Sequence, residues 1–351
     1  MEYRTSEEHI LRRKRVVIVG GAGFLGSHLC ERMLLDGLEV ICVDNYLTGN
    51  PENVTHLTEL GPFTTLRCDI TDSVEISHDV DVVLNFASPA SPIDYLRLPI
   101  QTLRAGAIGT QHTLDLAREK TARYILASTS EVYGDPQIHP QNEEYWGNVN
   151  PIGPRSVYDE AKRYAEALTM AYRRTYQVNT GIVRIFNTYG PGMSVNDGRA
   201  IPTFIWQALK GRPLTVTGDG SQTRSACYVD DLVNAVTRMV DADISGPVNL
   251  GNPEELSILE LANRIRTIAS SESTIRFISR PVDDPAIRRP DISLASELLG
   301  WTPIVNLNDG LNRTIDWFRR LDIAECRNGR NGDIHASQRP SSGPATPTWK
   351  P

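Results

Sequence analysis

Lysine is scarce in this chain. Only five of its 36 basic residues are lysines (Lys14, Lys120, Lys162, Lys210 and Lys350), so a lysine inside a motif stands out against a strong preference for arginine. Positive charge is not in excess either: 43 acidic residues leave a formal charge of -7 and a pI of about 5.6. That balance argues against a nucleic-acid partner, because phosphate binding requires a basic face. No apolar run approaches the roughly 20 residues that span a bilayer. The opening stretch MEYRTSEEHILRRKR has no apolar h-region of a secretory signal. The five cysteines (Cys30, Cys42, Cys68, Cys227 and Cys326) are odd in number, scattered and without C-x-x-C spacing. This argues against a metal site and a disulfide framework, and for reduced thiols in a cytoplasmic protein. Internal repeats are absent, and membrane attachment is not expected.

What is present is a chain of 351 residues, long enough for one large domain or two around a shared cleft. Short apolar runs at 15–20, 39–44, 64–69, 80–87, 123–128 and 180–187 read as buried strands. Helical patterns lie between them at about 24–36, 99–119 and 158–176. Repeated β-α units predict an α/β fold, a Rossmann-like doubly wound parallel sheet. After residue 187 the pattern shifts to Gly/Pro-rich loops with helices near 200–210, 229–241 and 257–269. These predict a smaller C-terminal α/β substrate-binding lobe, with the run at 246–251 returning to the main sheet. The expected division is a polar arm at 1–13, a dinucleotide-binding domain at 14–187 plus about 226–252, and a substrate lobe at about 188–225 and 253–321. The Gly/Pro/Ser-rich tail 322–351 is expected to be disordered.

Two motifs carry chemistry. In VVIVGGAGFLGSHL, Gly20, Gly23 and Gly26 follow a strand and open a helix. Glycine admits close backbone approach to a pyrophosphate, and the helix N-terminus supplies N–H donors. Asp44 ends the next strand, where a carboxylate can take both ribose hydroxyls and repel a 2′-phosphate, favouring NAD over NADP. Asp69, ending the third strand, is placed to meet the adenine amino group; alone it would read as a helix cap. In SVYDEAKRYAE, Tyr158 and Lys162 stand at i and i+4, on one face of a helix. An ammonium beside a phenol favours its anion, which can take a proton from a sugar hydroxyl.

The glycine turn, the acidic strand end, the hydroxyls of STSE (128–131) and the Tyr-x-x-x-Lys pair together resemble the extended short-chain dehydrogenase/reductases. Within that family, NFASPASPIDYLRLPIQTL, STSEVYGDPQIHPQNEEYWGNVNPIGPRSVYDEAKR, RIFNTYGPGM, GDGSQTRSACYVDDLV and DDPAIRRPDI resemble the branch that decarboxylates UDP-glucuronate to UDP-xylose. The resemblance covers about residues 14–320. It implies C4 oxidation with Tyr158 as base, loss of the C6 carboxylate from a 4-keto acid, and return of hydride to C4 from NADH. Thr129 would complete the triad with Tyr158 and Lys162. Ser130 stands where 4,6-dehydratases carry Asp, and so avoids a charge against the substrate's carboxylate. Glu131 would position the ring or handle a proton or water at C5.

The resemblance further implies NAD contacts at Phe24, Leu25, Asn45, Ile70, Ala87, Ser88 and Thr188. It implies UDP-glucuronate contacts at Pro89, Ala90, Ser91, Tyr95, Asn187, Arg199 and Arg224. Arg288 would act on the carboxylate or diphosphate, and Arg104 would face the acid. A homodimer built through helices at about 99–119 and 158–176 is expected. Departures stand at Gly192, where an Arg is expected, at Gly106, where many relatives have Asn, and at Ala226-Cys227, where an aromatic pair is expected. The rival readings are a nucleotide-sugar 4-epimerase or 4,6-dehydratase and, from another class, a non-catalytic NAD-binding sensor.

Overall fold

A computed structural model describes residues 13–281 and 283–327, with side chains described to residue 321. Most of the expected N-terminal arm, and the tail beyond 327, lie outside the described residues.

The apolar runs fold as β1 (Arg15–Val19), β2 (Glu39–Asp44), β3 (Phe63–Arg67), β4 (Val82–Asn85), β5 (Arg123–Thr129) and β6 (Thr180–Ile185). A seventh main strand comes from the predicted return at 246–251. The sheet order is β3-β2-β1-β4-β5-β6-β11, where β11 is Pro247–Leu250, and every pairing is parallel. The order reverses between β1 and β4, the switch point where doubly wound sheets bind ligands at the strands' carboxyl ends. Val16 and Ile18 face one apolar layer with Leu29 and Met33 of α1 (Phe24–Leu35). Val17 and Val19 face the other with Leu114 and Tyr124. β3 departs from the reading of a buried strand: it pairs only with β2 at the sheet's edge, and its residues are partly or fully exposed.

Above the switch point lie α2 (Pro92–Arg97) and α3 (Pro99–Arg104). The single helix expected over 99–119 is interrupted: α3 passes through a π-helical turn at Ala105–Gly109 into α4 (Thr110–Lys120). The two glycines of that turn explain its close packing. A Cβ at Gly106 would lie 2.6 Å from the Ala161 Cβ, and one at Gly109 would lie 2.4 Å from Ile70 Cδ1. Ala161 belongs to α5 (Ser156–Tyr176), the helix that carries Tyr158 and Lys162.

Beyond β6 come β7 (Thr188–Tyr189), α6 (Ala200–Leu209), β8 (Leu214–Thr217), β9 (Thr223–Ser225), β10 (Cys227–Tyr228) and α7 (Val229–Asp241). After β11 follow β12 (Glu255–Ser257), α8 (Ile258–Ile268), β13 (Ile275–Ile278), α9 (Ser293–Leu299) and α10 (Leu307–Arg327). Three two-stranded ribbons, β7–β10, β9–β12 and β8–β13, tie these pieces together. α10 continues past residue 322, where the tail was expected to begin. Among the described residues no helix is long and apolar enough to cross a membrane.

Candidate active site

The glycine turn lies against the end of β4. Gly20 has φ +77°, and a Cβ there would lie 2.7 Å from the Ala87 amide. A Cβ at Gly26 would stand 2.1 Å from the Gly20 carbonyl, so the first turn of α1 can sit this close only with glycine. Gly23, the N-cap of α1, meets only the Gly20 carbonyl at 3.2 Å, which leaves its outer face open to a ligand. Asp44 is buried at the end of β2 and accepts from the amides of Ala22 (3.0 Å) and Tyr46 (2.8 Å). Burial raises its pKa, and these N–H groups draw it back. Asn45 donates to Asp69 at 2.9 Å, and Asp69 also accepts from the Thr71 amide at 2.9 Å. Phe24 and Leu25 open α1, Ile70 is buried beside Gly109, and Ala87 and Ser88 follow β4. A turn that admits no side chain at Gly20 or Gly26, an open helix N-terminus and an acid at the second strand's end fit a dinucleotide's pyrophosphate and ribose.

β5 delivers the polar end STSE. Thr129 is buried, and its Oγ1 accepts from the Glu131 amide at 3.2 Å, capping a short 3-10 turn at Ser130–Tyr133. Tyr158 is buried on α5 with its ring stacked on Tyr95, centroids 5.2 Å apart and planes 8° apart. Lys162, also buried, donates from Nζ to the Ala127 carbonyl at 2.8 Å, and burial lowers its pKa to about 8, against the opposing charge of Glu166. Lys162 Nζ also stands 5.8 Å from the centroid of the Tyr158 ring. Burial holds the phenol up at about 12, and Arg199, followed by a hydrogen bond with Thr129, is what opposes that rise.

Arg288 is 2% exposed and comes from the segment between β13 and α9. It pairs with the Glu131 carboxylate, donates to the Gly134 carbonyl at 2.8 Å and stands 3.5 Å from Ser130 Oγ. Arg155, the N-cap of α5, takes the other Glu131 oxygen at 2.5 Å. Burial alone would raise the Glu131 pKa; the Arg288 charge, then Arg155, outweighs it and brings the value down to about 2. Glu131 is thus held as an anion between Arg288 and Arg155.

The remaining substrate residues are distributed unevenly. Arg224 pairs with Asp284 at 2.9 Å and interacts with Glu131 and Arg288, so it lines the same cluster. Arg199 pairs with Asp197 at 2.7 Å. Asn187 donates to the Ser225 carbonyl at 3.3 Å, joining the two parts of the chain, and the Thr188 hydroxyl donates to the Phe186 carbonyl at 2.9 Å. Pro89 is buried beside the exposed Ala90. Arg104 and Ser91 have partners within the fold. Arg104 lies exposed on α3 and reaches toward Thr71 Oγ1 (3.4 Å), near Asp69. Ser91 Oγ caps α2, donating to Asp94 Oδ2 at 2.7 Å and accepting from the Asp94 amide at 3.1 Å, so it is engaged within the fold.

Sequence reading missed Arg155 and Asp159, which sit one helical turn apart and flank Tyr158. It also missed Glu166, a further turn beyond Lys162. Glu166 accepts from Ser128 Oγ at 2.5 Å and pairs with Arg184 at 2.7 Å, tying α5 to β5 and β6. The repeated four-residue spacing of Arg155–Asp159 and Tyr158–Lys162–Glu166 was the available signal.

This fold and site define an NAD-using enzyme of the short-chain dehydrogenase/reductase kind. The chain belongs to the NAD dependent epimerase/dehydratase family, whose profile matches residues 16–251. Within it, the chain is 52% identical over 308 residues to UDP-glucuronic acid decarboxylase 1 of Danio rerio, covering 88% of this chain and 73% of that protein. It is 51% identical to the Xenopus tropicalis protein of the same name, with the same coverage. Among solved structures it is similar to a UDP-glucuronic acid 4-epimerase mutant from Bacillus cereus in complex with UDP-4-deoxy-4-fluoro-glucuronic acid and NAD. That likeness has a TM-score of 0.80 at 28% identity, over 88% of this chain and 99% of the other.

Proposed function

We propose that this chain converts UDP-glucuronate to UDP-xylose and CO2. The observation that carries the reading is the buried Glu131–Arg288 pair, set beside an uncharged Ser130 and next to Thr129, Tyr158 and Lys162. The similarity to UDP-glucuronic acid decarboxylases over most of the chain supports it.

The Gly20–Gly26 turn and Asp44 would hold NAD, which would supply the hydride acceptor and donor for C4 of the sugar. Tyr158 takes the C4 hydroxyl proton while Thr129 holds the same oxygen and Lys162 fixes the ribose side of the site. The resulting ketone is β to the C6 carboxylate. The C5–C6 bond then breaks with release of CO2, and its electron pair is delocalised onto the C4 oxygen, where Tyr158 and Thr129 stabilise it; C5 takes a proton from water to restore the C4 ketone, and Tyr158 returns its proton to the C4 oxygen when the ketone is reduced. Ser130 keeps negative charge away from the departing carboxylate. Arg288 supplies the cation that receives it, and Glu131 holds Arg288 in place. Arg224, Arg199 and Asn187 take the diphosphate and nucleoside, guanidinium forks suiting paired phosphate oxygens. Pro89, Ala90 and Tyr95 line the sugar.

Residues 14–187 with about 226–252 form the NAD-binding part in this reading, and about 188–225 with 253–321 the substrate lobe. The protein acts as a homodimer through α3, α4 and α5. Cys30, Cys42, Cys68 and Cys227 are free thiols, which suits a reducing cytoplasm. Incubation with NAD+ and UDP-glucuronate should release CO2 and UDP-xylose in equal amounts. Folded protein that holds NAD and yields a 4-epimer of unchanged mass, or a product lacking water, would transfer the reading to an epimerase or a dehydratase.

A further inference from the structure

Among the buried titratable groups that the mechanism above leaves unused, Asp159 is the one beside the reacting residues. Asp159 is 6% exposed and lies on the first turn of α5, four residues after Arg155 and next to Tyr158. Its Oδ1 is buried with no hydrogen-bond partner among the described residues. Burial raises its pKa to about 7, the Glu131 charge adds to the rise, and Arg155 and Arg288 oppose it. Around it stand Glu131 from the turn after β5, Arg288 from the segment before α9, Arg155 and Glu160 from α5, and the phenols of Tyr95 and Tyr158.

The charge inventory of this cluster is informative. Arg224 is matched by Asp284, Arg199 by Asp197 and Glu160 by Arg163. That leaves the guanidiniums of Arg155 and Arg288 against the single carboxylate of Glu131. With Asp159 protonated these groups sum to one positive charge; with Asp159 ionised they sum to zero. The substrate carries one carboxylate at C6, and the decarboxylated sugar carries none.

We propose that Arg155 and Asp159 are specificity-determining residues that recognise the C6 carboxylate by charge balance: Arg155 supplies the surplus cation, and Asp159 takes up a proton when the carboxylate arrives. The assignment rests on the decarboxylase reading. A carboxylate entering beside Asp159 disfavours its ionised form. Once CO2 has left, Asp159 returns its proton to solvent, and the neutral cluster has no net attraction for the neutral pentose. The same device therefore selects substrate and weakens the hold on product.

The test uses the NAD+-loaded enzyme carrying Tyr158→Phe, so that ligands bind without turnover, with calorimetry in two buffers of different ionisation heat. UDP-glucuronate should bind with uptake of about half a proton at pH 7, and about tenfold more tightly at pH 6 than at pH 8. UDP-xylose should show neither effect. Adding Asp159→Asn should abolish both the uptake and the pH dependence. Adding Arg155→Met should weaken UDP-glucuronate roughly tenfold or more, and UDP-xylose by less than about threefold. Arg155→Lys, which keeps the charge, should restore most of that ratio, and melting curves identify a variant that has lost its fold. Equal weakening of both ligands by Arg155→Met and Arg155→Lys, or proton uptake that persists in Asp159→Asn, overturns the proposal alone. Failure of the parent to bind either sugar nucleotide overturns the decarboxylase reading and the proposal together.

Discussion

The carboxylate of Glu131 is shared by guanidiniums from distant parts of the chain, Arg155 at the start of α5 and Arg288 beyond β13. Its pKa, held at about 2 against an ordinary 4.5, turns the pair into a pH-dependent contribution to stability. Because the folded value is depressed, that contribution is fully present above about 4.5 and is lost as the pH falls toward 2. Glu131→Gln leaves two buried cations short of a partner and should cost about 3–5 kcal/mol at neutral pH. Thermal melts across pH 2–7 should show the wild type losing its advantage over the variant between about pH 4.5 and 2. A constant gap across that range would contradict the clamp. At this scale the sequence was read well where a motif constrains residue type: Gly20, Gly26, Asp44, Thr129 and Tyr158 stand where expected. It was read poorly where one charge needs a distant partner to acquire meaning. Arg155 was silent because Glu131 reaches it only through the fold.

Elements were legible in proportion to their length and burial. The parallel strands and α5 follow from continuous apolar runs and from i, i+4 spacing. The ribbons of two to four residues in the C-terminal lobe carry too little pattern to be seen. The π-helical turn at Ala105–Gly109 was hidden as well, since hydrophobic periodicity does not register one wide turn. Its consequence is mechanical. Gly106 packs on Ala161, which directly precedes Lys162 on α5, with less space than a Cβ needs even to the Ala161 carbonyl oxygen, 2.8 Å away. Any side chain there must push α3 and α5 apart. Gly106→Asn, which restores the residue expected from relatives, should therefore destabilise the protein by about 1–3 kcal/mol through overpacking. It should also lower kcat by displacing the catalytic face of α5. Denaturant titration with initial rates tests this; a variant as stable and active as the parent would mean that the helices already have room.

At the scale of the whole molecule, the surface opposite the sheet bears on assembly. α3 and the π-helical turn pack beside α5, and their outward faces expose Ile100 (63%), Leu103 (39%), Ile108 (37%) and Tyr164 (51%). Exposed apolar side chains are ordinary singly, but several on adjoining helices mark a face suited to association. A second copy is the simplest occupant, because a two-fold axis apposes the same helices from both chains and closes the assembly. Covering this face would also brace the far side of the helix that positions Tyr158 and Lys162, and would join assembly to catalysis through α5. Sedimentation at micromolar concentration should give about twice the 39.0 kDa chain mass. Ile100→Lys combined with Tyr164→Lys places two cations in each copy of that face and should yield monomers. The monomers should keep the fold and lose activity in step with dissociation, because α5 loses its outer support. A wild type that sediments as a monomer, or a double variant that remains dimeric, would move the association surface elsewhere.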